Sequence, residues 1–84
     1  QDKLDLLAAA YRGALHVADD LGATTVTMPA ISAGTFGFPI DVAADVALRT
    51  VRDHLIGQTG VARVTFVLRA PASYDVFQRR LARI

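Results

Sequence analysis

Along the first quarter of the chain, Leu4, Leu7, Ala8, Tyr11, Leu15, Ala18 and Leu21 recur at spacings of mostly three and four. That period gathers them on one stripe of a helix and predicts an amphipathic helix buried along it. Gly22 supplies the stop signal. Between Ala23 and Ile31, the residues Thr24, Thr25, Val26, Thr27 and Met28 are mostly β-branched and predict a strand. A second helical pattern runs through Val42, Val46, Ala47, Thr50, Val51 and Leu55. Pro39 suits its first turn, where a missing N–H is harmless, and Asp41 and Asp45 suit the positive end of its dipole. Gly57 and Gly60 close it. From Ala62 to Leu68, with Val64, Phe66 and Val67, the near-continuous apolar run predicts a strand buried on both faces. Ala70-Pro71-Ala72-Ser73 predicts a turn, and Val76, Phe77, Leu81 and Ile84 a closing helix.

The expected order is helix, strand, helix, strand, helix. Two strands joined by a helical crossover run parallel with a right-handed connection. The fold class is therefore α/β, with parallel strands and helices on both faces. A parallel pair alone leaves two open edges, and parallel sheets normally hold more strands. The chain also opens almost directly into a helix, without Met and with no strand before it. Residues 1–84 are thus expected to form one unit that is part of a larger sheet.

Composition narrows the function classes. The chain is 84 residues long and 52% hydrophobic, which is globular rather than disordered. No apolar stretch approaches the ~20 residues of a membrane span, and no signal-peptide pattern opens the chain. A soluble cytoplasmic protein is the expectation. The absence of cysteine rules out disulfides and thiolate metal sites. His16 and His54 are too far apart in sequence for a local metal motif. Neither a metal nor a cofactor is expected. A net charge of +1 argues against a nucleic-acid partner held mainly by charge. Arg79, Arg80 and Arg83 read as a solvated helix face, and Asp19-Asp20 as a surface pair at a helix C-terminus.

The candidate chemistry lies between the first strand and the second helix, in Pro29-Ala30-Ile31-Ser32-Ala33-Gly34-Thr35-Phe36-Gly37-Phe38-Pro39. A strand feeding a Gly-bearing turn and then a helix can aim successive backbone N–H groups at an anion, and the helix N-terminus adds partial positive charge. Gly34 and Gly37 permit unusual backbone angles and close approach; Ser32 and Thr35 offer hydroxyls. In an open α/β sheet the loop sits at the carboxyl end of a strand, the usual ligand crevice. Glycines that serve only the sterics of the turn would look the same. The Walker and dinucleotide-fold fingerprints are both absent.

The longer stretch Ile31-Ser32-Ala33-Gly34-Thr35-Phe36-Gly37-Phe38-Pro39 closely resembles the I-S-T-G-[IV]-[FY]-G-[FY]-P loop of macro domains, which bind ADP-ribose. Upstream, Leu7-Ala8-Ala9-Ala10-Tyr11-Arg12 looks like that family's helix with its Tyr-Arg pair. Downstream, Ala43-Ala44, the strand at Val64–Leu68 and the segment Tyr74–Leu81 fall where the family places its last helices and strand. The resemblance covers nearly the whole chain and the C-terminal half of the family. It implies the C-terminal portion of the macro domain's three-layer sandwich. It further implies a phosphate-binding loop in which Ser32, Ala33, Gly34, Thr35, Phe36 and Gly37 hold the diphosphate and distal ribose. Phe36 either packs beside that ribose or only anchors the loop, and Phe38 reads as core. Two positions depart from the family. Ala33 stands where relatives usually have Thr, which removes a hydroxyl and keeps a backbone donor. Arg69 stands where relatives often carry an aromatic near the adenine; a guanidinium stacks on an adenine face or simply solvates a strand end.

The family's N-terminal half supplies the acidic residue at the adenine, the Asn-rich segment and the first Gly-rich loop. Residues 1–23 contain none of these, so no catalytic residue is carried over. The implied partners are ADP-ribose, ADP-ribosylated protein or nucleic acid, and the missing N-terminal half of the domain. The parent would then be an ADP-ribose reader, an ADP-ribosyl hydrolase or an O-acetyl-ADP-ribose deacetylase. Two alternatives are a nucleic-acid module that clamps a backbone with Gly34-Thr35-Phe36-Gly37, and a fragment without activity of its own that pairs through its sheet edge.

Overall fold

The computed structural model describes residues 3–29, 39–68 and 71–83. The element order is α1 (Lys3–Asp20), β1 (Thr25–Pro29), α2 (Ile40–Leu55), β2 (Arg63–Val67) and α3 (Pro71–Leu81). The expected α/β order is observed. β1 and β2 pair in parallel, in a register running from Thr25 opposite Arg63 to Pro29 opposite Val67.

α1 ends where the sequence placed its stop. Gly22 has φ +73°, the left-handed region that favours glycine. The Ala23 and Gly22 amides donate back to the Ala18 and Asp19 carbonyls at 2.9 and 3.0 Å. This pair of bonds is a Schellman cap, which satisfies carbonyls that the helix end would leave bare. Leu7, Tyr11, Leu15 and Ala18 are buried as the spacing required. Leu21 is 79% exposed, because the helix has ended at Asp20 and the chain turns away.

Met28 joins Leu7, Tyr11, Leu15, Ala43, Ala44, Ala47, Leu48, Val51 and Phe77 in a single core, with Val26, Val64 and Phe66 packed against it. Phe66 is the hinge point between layers. Its ring meets Tyr11 of α1 edge-on at 6.0 Å and Phe77 of α3 at 5.4 Å. Both helices therefore lie over the sheet face that carries Val26, Met28, Val64 and Phe66. The opposite face, Thr25, Thr27, Pro29, Arg63, Thr65 and Val67, is exposed along its whole length.

That exposure corrects the expectation for the second strand. β2 alternates between exposed and half-buried residues instead of being buried on both faces, and Val67 is 54% exposed. Its composition suits a doubly covered strand, yet no described residue covers the second face. The segment 71–73 also differs from its expected turn. Pro71, Ala72 and Ser73 form the first turn of α3. A proline at a helix start leaves no donor unmet and begins with the right φ.

Candidate functional site

Because the strands are parallel and in register, Pro29 and Val67 end at the same edge of the sheet. Residues 30–38 leave that edge from β1 and lead to α2; residues 69 and 70 leave it from β2 and lead to α3. The residues Ser32, Ala33, Gly34, Thr35, Phe36 and Gly37, and Arg69, lie outside the described residues. What the structure brings together is the pair of strand ends from which both stretches hang. The convergence of these ends follows from the parallel register, and the carboxyl edge they form is where open α/β sheets bind ligands.

The start of α2 faces this edge. Pro39 precedes the helix with φ −57° and ψ 141° and offers no side-chain cap. Its carbonyl accepts the Ala43 amide at 3.0 Å, and the Val42 amide turns to the Asp41 carboxylate at 3.0 Å. The amides of Ile40 and Asp41 have no partner among the described residues. They carry the positive end of the helix dipole, which Asp41 partly offsets. Arg80 of α3 reaches Asp41 at 3.4 Å and ties the C-terminal part of α3 to this first turn.

A second cluster occupies the amino edge of the sheet. The Asp19 carboxylate accepts from the Thr59 hydroxyl and bonds His54 Nε2 at 2.9 Å. The His16 ring stands edge-on to the His54 ring at 5.5 Å. Thr59 also accepts the Val61 amide at 3.1 Å, so the α2–β2 connection is fastened to the end of α1. The Thr59 bond, chiefly, and the nearby histidines hold the Asp19 carboxyl below its ordinary value, with burial opposing them. Asp19 is thus a structural tie and not the surface residue expected; Asp20 is exposed as expected. A carboxylate in the last turn of a helix opposes the dipole. That conflict was the available sign that Asp19 answers to partners elsewhere. Among the described residues no set of three or more His, Cys, Asp and Glu side chains is arranged to hold a metal ion.

An open groove of about 840 Å³ lies between α2, β2 and α3. Leu48, Val51, Leu55, Val64, Phe66 and Phe77 are among the residues lining it. No helix of the described residues is long and apolar enough to cross a membrane.

Comparison with known proteins decides the family. The family model of the macro domain matches residues 1–47, more than half of the 84 residues. The chain belongs to the macro domain family. A macro domain-containing protein of Streptomyces coelicolor is 43% identical over 81 residues, covering 96% of this chain and 46% of the relative. The macrodomain of Oceanobacillus iheyensis with ADP superposes with a TM-score of 0.90 at 33% identity, over 96% of this chain and 42% of that one. The macrodomain of Trypanosoma brucei in complex with ADP-ribose superposes with a TM-score of 0.86 at 23% identity, over 93% and 34%. The last likeness bears on the fold alone. The macro domain fold is thereby established, and the chain spans less than half the length of these relatives.

Proposed function

We propose that this chain supplies the diphosphate-binding side of an ADP-ribose-binding macro domain. The observation that carries the reading is the loop sequence Ile31–Pro39 in a chain of this family, strung between the carboxyl end of β1 and the start of α2. Backbone amides of Ser32 to Phe36 bind the diphosphate, Gly34 and Gly37 let the backbone approach it, and Phe36 packs beside the distal ribose. Arg69, on the neighbouring connection, lies on the adenine side. The ADP bound by the Oceanobacillus relative supports the ligand class.

The chain brings no catalytic side chain to this reading. Its chemistry, whether reading, hydrolysis of an ADP-ribosyl link or deacetylation, belongs to the portion of the domain that the relatives have beyond the matched region. That portion is also the partner of the fold: it covers the exposed sheet face, pairs the free strand edges and fills the apolar groove between α2 and α3. Titrating ADP-ribose calorimetrically into the complete domain tests the reading. Binding is expected, and Gly34→Glu, which sets a carboxylate where the diphosphate lies, is expected to abolish it. No heat from the unsubstituted domain, or equal affinity in the variant, would sink it.

A further inference from the structure

Arg79 and Arg80 in the last turn of α3 and Arg83 just beyond it line a cleft of about 180 Å³, together with Val76 of α3 and Asp41 of α2. Basic residues at a helix C-terminus favour the dipole, and that alone would place them there. It does not explain why the cluster is anchored. Arg80 is held by Asp41 at 3.4 Å, so the helix end is fixed against the first turn of α2 and the patch is concave. Arg79, in the last turn of α3, and Arg83, in the turn that follows it, have no carboxylate partner among the described residues.

The charge arithmetic is one-sided. Three guanidiniums less one carboxylate give the cleft +2, while the whole chain carries +1, leaving −1 for everything else. The cleft therefore carries a net positive charge, and the remainder of the chain a slight negative one. Guanidinium forks bind phosphate oxygens two at a time. Val76 is the one apolar residue of the lining, so the cleft has no seat for a base or an apolar side chain. We propose that it is a separate contact for the phosphodiester backbone of a single-stranded nucleic acid, independent of base sequence and of ADP-ribose. Near-zero net charge keeps the contact weak and local, an accessory to binding elsewhere.

Fluorescence anisotropy with a labelled mixed-sequence DNA strand of roughly ten nucleotides tests this on the 84-residue chain. Binding at low salt is expected, weakening as salt rises. Arg79→Gln/Arg83→Gln should lower the affinity about tenfold and flatten the slope of log affinity against log salt by ~1.4, two phosphate contacts' worth. Arg12→Gln, an exposed charge on α1, should change neither by a comparable amount. Circular dichroism confirms that the variants remain folded. Absence of binding, an unchanged slope in the double variant, or equal competition by a polyglutamate peptide of matched charge would overturn the assignment. Competition by ADP-ribose would overturn the separateness of the site. A domain that fails to bind ADP-ribose leaves this result untouched, so the two readings fail separately.

Discussion

Asp19 stands in the last turn of α1, where the bare helix carbonyls disfavour a negative charge. The Thr59 hydroxyl and the His54 ring make the carboxylate tolerable there, and the Thr59 bond does most to lower its pKa. The sign of the consequence is fixed. A carboxyl depressed in the folded state contributes stability that is complete above its unfolded value, about 3.9, and is lost as pH falls through the folded value. Following the unfolding midpoint by circular dichroism, the unsubstituted chain should lose stability as pH falls below about 4. Asp19→Asn should be less stable at neutral pH and flatter through that range. Thr59→Ala, which removes the leading cause while leaving the charge, should lower stability at neutral pH and also flatten the acid limb. Identical acid limbs in all three proteins would show that Asp19 carries no folding energy. Nothing in sequence spacing links Asp19 to Thr59, forty residues away; only the dipole conflict pointed toward a partner.

At the level of elements, the periodic apolar residues of α1 and the β-branched run of β1 were legible because each element's own period reports its buried face. α2 was legible as a helix, and its inner face in part. Of the expected pattern, Ala47, Thr50 and Val51 are buried and Val42, Val46 and Leu55 only half-buried, while the core also takes Ala43, Ala44 and Leu48. Alanine adds little to a hydrophobic pattern, yet its small side chain is what lets α2 approach its neighbours closely. The start of α3 was misread because Ala-Pro-Ala-Ser serves a turn and a helix N-terminus equally well, and packing of Phe77 on Phe66 favours the helix. These assignments predict a sharp contrast between two leucines of similar pattern. Leu15 is fully buried between helices, and Leu15→Ala should cost about 2–5 kcal/mol by urea denaturation. Leu21 continues the same stripe in sequence but lies beyond the helix, so Leu21→Ala should change stability by less than about 0.5 kcal/mol. Equal losses would mean that α1 runs on past Gly22.

On the scale of the whole molecule, the helices cover one sheet face and leave the other open. The α/β class and the strand order were legible; the half-covered sheet was not, because a sequence pattern reports what a strand is suited to and not what is present to cover it. Exposed Ile56, Tyr74 and Leu81 line the groove along β2, α2 and α3, and exposed Val67 lies on the open sheet face. Apolar surface of this kind draws the chain either toward the rest of its domain or toward itself. The two outcomes separate cleanly. If the groove and open face are seats for the remainder of a macro domain, the 84-residue chain should bind a solvatochromic apolar dye such as anilinonaphthalene sulfonate. It should also bind ADP-ribose far more weakly than the complete domain does, since one wall of the site is absent. Adding the N-terminal portion should quench the dye and raise ADP-ribose affinity together. If instead the strand edges pair two copies, light scattering should give twice the chain mass, and the dye signal should fall with protein concentration without any gain in ADP-ribose binding. The coupling of dye release to ligand affinity is the decisive reading, because only completion of the site moves both at once.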